Sequence, residues 1–229
     1  MKNLISYLRK VIGLIVLVII YKPTRNQITA RKIMGNKNFL GIREIVRYFG
    51  VIPSRAQILT LAKIPFSEET LNECKGTHIL CAGFPMTILK IRAKAPTRKP
   101  KTFYSYHDAW YNNQVFANRE KVGLRWYLIR KTAVVDSFSK RSNDQQLLIG
   151  PNEEVPRACE LIYAVVLYFM ATGERLFKNV YVRCSDLVLY VSQVRVGHFD
   201  FDYDGLRIGR GWDGDTCSII GLASSRKSN

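Results

Sequence analysis

"PRACELIYAVVLYFMATG", running from Pro156 to Gly173, decides how the rest of the chain must fold. Pro156 sits just inside a helix start, where its missing N–H costs nothing. Glu153 and Glu154 ahead of it suit the positive end of a helix dipole, and Gly173 ends the segment. Ala158, Leu161, Ile162, Val165, Val166, Tyr168 and Phe169 make the helix apolar almost all round. A helix with no polar face is predicted to be deeply buried. The apolar run between Glu160 and Glu174 is too short to cross a bilayer. Strands and further helices must therefore surround it.

The stretch beyond supplies strands. In "VRVGHFDFDYDGLRIGRGWDGDTCSIIGLASSRK" (Val194–Lys227), VRVG at Val194–Gly197 recurs as LRIG at Leu206–Gly209. Alternation turns Val194, Val196, Leu206 and Ile208 toward a core, with Arg195 and Arg207 facing out. After each glycine comes an aromatic-acid pair, Phe199-Asp200 and Trp212-Asp213, and "SIIGLAS" adds a third apolar strand. Asp200, Asp202, Asp204 and Gly205 begin like a calcium loop. Counted from Asp200, however, the position that needs a bidentate glutamate holds Gly211, and the usually apolar eighth position holds Arg207. The aspartates are predicted to serve as turn residues instead, and no metal site is expected.

The order of long helix, "YVRCSD", short strands with a Trp-Asp segment, and terminal "IGLASSRK" resembles the C-terminal part of C-type-lectin-like domains. More narrowly, it resembles the variable proteins of diversity-generating retroelements of phages and bacteria. The similarity covers roughly residues 103–227. That family commonly ends in a Gly-Phe-Arg-like strand, whereas Gly221 here is followed by Leu222 and Ala223. The resemblance implies a ligand surface on the last strands and loops, held by a hydrophobic frame. Val194, Val196, Leu206, Ile208, Ile220 and Leu222 would form the frame. His198, Phe199, Phe201, Tyr203, Arg207, Arg210, Trp212, Asp213 and Asp215 would bind a protein or surface ligand, without cofactor. It also implies a cytoplasmic protein or a phage-particle component.

Charge divides the chain. Of 35 Lys+Arg against 18 Asp+Glu, residues 1–60 hold 11 basic and 1 acidic, 61–130 hold 12 and 5, and 131–229 hold 12 of each. The whole excess lies in the first 130 residues, which suggests two units with different roles. Residues 1–33 carry seven basic residues and no acid. They read as a dispensable extension, a short membrane anchor through the apolar run 11–21, or a secretory signal. From Met34, Leu40, Ile42, Ile45, Val46 and Phe49 recur at helical spacing until Gly50. Pro53-Ser54 opens a second helix with Ile58, Leu59, Leu61 and Ala62 on its apolar face. This pair resembles a helix-turn-helix, with Arg43, Arg47, Arg55 and Lys63 available for phosphates. Nucleic-acid binding is the alternative function.

Ser67 caps another short helix. The apolar runs around Ile79-Leu80 and Ile88–Ile91 read as core strands, or as one buried strand and a turn. "KAPTRKPK" (94–101) is a basic, proline-bearing linker. Phe103, Tyr104, Tyr106, Trp110, Tyr111, Phe116, Trp126 and Tyr127 crowd the next segment. "LRWYLIRKTAVV" alternates like a half-buried strand, so most of these rings are expected in a core rather than stacked on bases. Five cysteines without a CxxC pair and three scattered histidines offer no zinc site and read as reduced thiols. His107 and Asp108 are mere sequence neighbours, and no serine, threonine or cysteine lies in a nucleophile motif. A non-enzyme is expected. The fold class is α+β: an extension (1–33), a small helical and mixed unit (34–93), the linker (94–101), and a C-type-lectin-like domain with a small antiparallel sheet (102–229).

Overall fold

The computed structural model describes residues 21–97, 101–104, 107, 109–188, 192–198 and 205–228. The chain is mixed α+β, with eight helices among the described residues and two sheets. The helices are α1 (Arg25–Met34), α2 (Ile42–Phe49), α3 (Arg55–Thr60), α4 (Glu68–Cys74), α5 (Ile88–Lys94), α6 (Val115–Asn118), α7 (Ser142–Gln146) and α8 (Ala158–Thr172). The first sheet holds β1 (Phe39–Leu40), β2 (His78–Ala82), β3 (Trp126–Arg130), β4 (Glu153–Glu154) and β9 (Ser225–Arg226), in the order β1-β2-β3-β9-β4. The second holds β5 (Tyr181–Val188), β6 (Ser192–His198), β7 (Leu206–Trp212) and β8 (Ile220–Leu222), in the order β7-β6-β5-β8.

Helix α8 is buried from Ala158 to Phe169 without a break. It packs on β5 and β6 on one side and on α2, α5 and α6 on others. It reaches the first sheet through Tyr163, whose hydroxyl donates to the Ala82 carbonyl at 3.1 Å. The Phe49 and Tyr163 rings meet at 5.1 Å. Its first turn carries Glu160, only 5% exposed. A buried carboxylate is tolerated when it is paired and hydrogen-bonded. Arg157 lies 3.0 Å from it, Arg125 lies 3.6 Å away, and the Tyr127 hydroxyl donates to it at 3.1 Å. The Ala158 amide donates to the Asp186 carboxylate, so an acid from β5 caps the helix at its positive end. Gly173 closes it in the left-handed conformation, φ 75°.

Several local signals behave as their chemistry demands. Ser54 and Gln57 cap α3 reciprocally. The Ser67 hydroxyl accepts from the Thr70 amide at 3.1 Å to start α4, and Gly50, φ 60°, ends α2. Three expectations need correction. Pro156 stands just outside α8, ahead of its N-cap Arg157. Ile88–Ile91 belong to a helix, because the Thr87 hydroxyl accepts from the Lys90 amide and opens α5. Helix α3 buries none of its side chains: Leu59 is exposed, and Leu61 is buried only after the helix has ended.

The stretch 94–101 does not separate two sheets. Strand β2 pairs antiparallel with β3 along its whole length, His78 opposite Arg130 and Ala82 opposite Trp126. Strand β9, near the other end of the chain, pairs with β3 in turn. The residues before and after the basic stretch therefore share one sheet, and their apolar side chains form one core cluster. Phe103, Tyr111, Phe116, Trp126 and Tyr127 belong to that core, whereas Tyr104 is exposed and Trp110 is half-buried. All five thiols are free, four of them buried. No described helix is long and apolar enough to cross a membrane, and the apolar run 11–20 lies outside the described residues.

His78 is buried beside Arg130, Arg226 and Lys131. Burial, and then these cations, push its pKa down to about 4. In an unfolded chain the imidazole titrates near 6.5. As pH falls from 6.5 toward 4, the unfolded chain takes up a proton that the folded one refuses, so folding weakens through this window. The loss levels off below it, at about 3 kcal/mol. Urea unfolding at pH 7.0 and 4.5 should show this fall, and His78→Gln should flatten it. An unchanged slope in the variant would contradict the assignment.

Candidate functional site

Strands β6 and β7 form an antiparallel hairpin in continuous register, Val196 opposite Ile208 and Arg195 opposite Gly209. Val182 and Cys184 of β5, Val194 and Val196 of β6, and Leu206 and Ile208 of β7 are buried beneath it. Ile220 and Leu222 of β8 are buried as well. All six frame positions are thus inside. β7 is the outer strand of its sheet. Beside its first residue runs the segment Thr102–Tyr104: the Leu206 amide donates to the Thr102 carbonyl at 2.8 Å, and the Tyr104 amide donates to the Leu206 carbonyl at 3.1 Å.

Three arginines of this sheet each lie over a ring. Arg207 stands 4.5 Å from the centroid of Tyr104, Arg210 5.4 Å from Trp110, and Arg195 5.4 Å from Tyr181. Such stacking attracts a guanidinium to the ring face and restrains its motion. Arg195 lies across Gly209 and Gly211. A methyl group added at Gly211 would stand 2.6 Å from its guanidinium carbon, and one at Gly209 would stand 3.3 Å from its Cγ. The alternate glycines of "IGRGW" thus make a floor for one long side chain. Asp215, 3.6 Å away, completes its setting. Tyr104, Ala109, Trp110, Tyr181, Arg207 and Ile208 border a groove of about 490 Å³.

The turn after β7 is pinned from below by Arg183, 1% exposed on β5. Its guanidinium donates to the carbonyls of Asp215 (2.7 Å), Lys140 (3.3 Å) and Trp212 (3.5 Å), and to the Gln145 side-chain oxygen (2.7 Å). Burial, followed by the nearby charge of Arg195, lowers its pKa. Gln145 in turn donates to the Ile220 carbonyl at 3.0 Å, and the Ser142 amide donates to the Asp213 carbonyl at 3.0 Å. Helix α7 is therefore a clamp on the same turn.

Of the nine residues expected to bind, Arg210 and Trp212 are exposed, Trp212 at 61%. Arg207, Asp213 and Asp215 are half-buried around the turn. Phe199, Phe201 and Tyr203 lie outside the described residues, as does the side chain of His198; the loop aspartates 200, 202 and 204 and the pairing of His107 with Asp108 also lie outside them. Sequence reading passed over Arg183, although "YVRCSD" contains it, because an arginine between valine and cysteine in a strand does not announce its acceptors. The glycines at alternate positions 209 and 211 were a readable signal for Arg195.

Arg43, Arg47, Arg55 and Lys63 are all exposed, the first two a turn apart on the outer side of α2. A larger hollow, about 600 Å³, lies between Lys63 and Arg125. Its arginine is already paired with Glu154 and Glu160, which leaves Lys63 as its remaining cation among the described residues. No group of histidine, cysteine and acidic residues suited to a metal exists among the described residues. Compared with known proteins, the chain matches no family, no curated protein and no solved structure.

Replacing Arg183 by methionine strands several carbonyls that it satisfies. The variant should lose about 3 kcal/mol of stability, with faster amide exchange concentrated in residues 212–217. Arg183→Lys should recover only part of this, since one ammonium cannot span the same acceptors. Uniform exchange across β5 to β8 in both variants would show that the turn is held by other means.

Proposed function

We propose that this chain is a binding protein of the C-type-lectin-like, retroelement-diversified kind, engaging a protein or surface ligand with β7 and the turn that follows it. The observation that carries the reading is the separation of duties within one strand. Leu206 and Ile208 are buried, while Arg207, Arg210 and Trp212 lie at the surface or beside the groove. Side chains of the second group can change without touching the core, and a buried arginine holds the turn by backbone carbonyls rather than by side chains. Rigid aromatics and arginines on a preformed surface bind at low entropic cost.

The test is deep sequencing of codons 194–227 across a population of the source organism. The reading predicts substitutions clustered at Arg207, Arg210, Trp212, Asp213 and Asp215, and at 198, 199, 201 and 203, with Val194, Val196, Leu206 and Ile208 spared. A uniform stretch would overturn diversification. The exposed quartet Arg43, Arg47, Arg55 and Lys63 supports a second reading, nucleic-acid binding. Under it, affinity for a duplex would fall steeply with salt as counterions are released, and Arg43→Ala with Arg47→Ala would reduce that slope by about two. A salt-independent affinity would remove this reading.

A further inference from the structure

The backbone edge of β7 supplies a partner class for the surface proposed above. Leu206 turns both its amide and its carbonyl away from β6, toward Thr102 and Tyr104. The Ile208 carbonyl points the same way, accepting from the Trp110 indole at 2.8 Å. In an antiparallel pair, backbone groups alternate in direction along the strand, so Arg210 also faces outward. Among the described residues, no hydrogen bond is made by the Ile208 amide or by the amide and carbonyl of Arg210. Among the described residues the paired ladder on this side therefore stops after Leu206, and the Ile208 amide and both backbone groups of Arg210 follow as open positions.

An open edge is a template for another strand, and proteins usually blunt it. Here the flanks select what could come. Arg210, stacked on Trp110, lies on one face of the edge, and Arg207, stacked on Tyr104, lies on the other. A second copy of β7 would bring an equally cationic edge, with its own Arg207 and Arg210, against this one, which disfavours pairing, and the chain carries a net charge of +17. An extended segment with acidic side chains would find a guanidinium on whichever face its acids fall. We infer that β7 captures an extended acidic segment of a partner protein by strand addition at Ile208–Arg210. The backbone would supply the register, and Arg210 and Arg207 the preference for acid. This inference rests on the binding reading above and narrows it.

The probe is a fluorescein-labelled, end-capped peptide of alternating Glu and Thr, about eight residues long, the length of an ordinary strand. It would be titrated against the full chain by anisotropy. Three siblings accompany it: one with Lys in place of Glu, and two N-methylated at alternate residues, one in each of the two registers. The Glu peptide should bind and the Lys peptide should not. One N-methylated register should fail, because its donors are blocked while its side chains are unchanged. Arg210→Pro removes an outward amide that the β6–β7 ladder does not use, and proline is tolerated on an edge. It should weaken binding at least about tenfold, against a few-fold loss in Arg210→Ala, which keeps the amide. Amide exchange at Ile208 and Arg210 should slow when the Glu peptide is saturating.

Equal binding by both N-methylated registers would overturn strand addition while leaving a side-chain surface in place. That result needs no folded proline variant. Absence of binding by the Glu peptide would overturn the acidic partner, and the sequencing experiment would then judge the wider reading alone. Dimerisation in sedimentation that Arg210→Pro abolishes would also overturn it, by making the occupant a second copy of the chain.

Discussion

Burial of the helix Ala158–Thr172 on every side is the constraint from which the architecture follows. A helix with twelve consecutive buried positions has no face to give to water, so two sheets and three other helices must close around it. The one charge in its first turn shows what that enclosure demands. Glu160 lies in the interior only because Arg157, Arg125 and the Tyr127 hydroxyl converge on it, and an unpaired carboxylate there would be strongly destabilising. Its capping acid, Asp186, comes from β5 and not from the helix's own leading segment. Helix start and second sheet are therefore built together.

That sheet spends its two faces differently. The side toward α8 is filled with valines, a cysteine, a leucine and an isoleucine. The other side is organised by arginines in unlike states. Arg183 is sealed beneath α7 and satisfied by carbonyls and an amide oxygen, so its role is to fix the path of the turn. Arg195 lies on a glycine floor against Tyr181 and Asp215. Arg207 reaches the rim on this side over Tyr104, while Arg210, in register with Val194 on the opposite face, reaches it over Trp110. The same residue type thus grades from structural pin to surface group across three neighbouring strands. A turn held through its backbone leaves its side chains available for other uses.

Much of the local structure was legible in the sequence, because local chemistry encodes it. The apolar helix, the reciprocal cap at Ser54, the cap at Ser67, the glycine stop at Gly50 and the alternating hairpin each depend on residues within a few positions of one another. Ile88–Ile91 misled because a short apolar run suits either a strand or a buried helix, and the Thr87 cap decides between them. The shared first sheet was not legible at all. Pairing of His78–Ala82 with Trp126–Arg130, and of Ser225 with Ile129, joins distant residues across a basic stretch that reads as a boundary. The site divides similarly. Alternation indicated that Leu206 and Ile208 face in and Arg207 out, whereas the role of Arg183 depends on acceptors at Lys140, Gln145, Trp212 and Asp215, which only the fold assembles.

The central claim is that β7 and its turn form a surface whose side chains are independent of the fold beneath them. The most direct measurement is a combinatorial library randomising Arg207, Arg210, Trp212, Asp213 and Asp215 together, sorted for folding by protease resistance. Most members should fold with Tm within about ten degrees of the parent, since changes outside the core and caps cost about 0.5 kcal/mol or less each, while a parallel library at Val194, Val196, Leu206 and Ile208 collapses. A majority of unfolded members in the first library would contradict it, because those side chains would then belong to the frame.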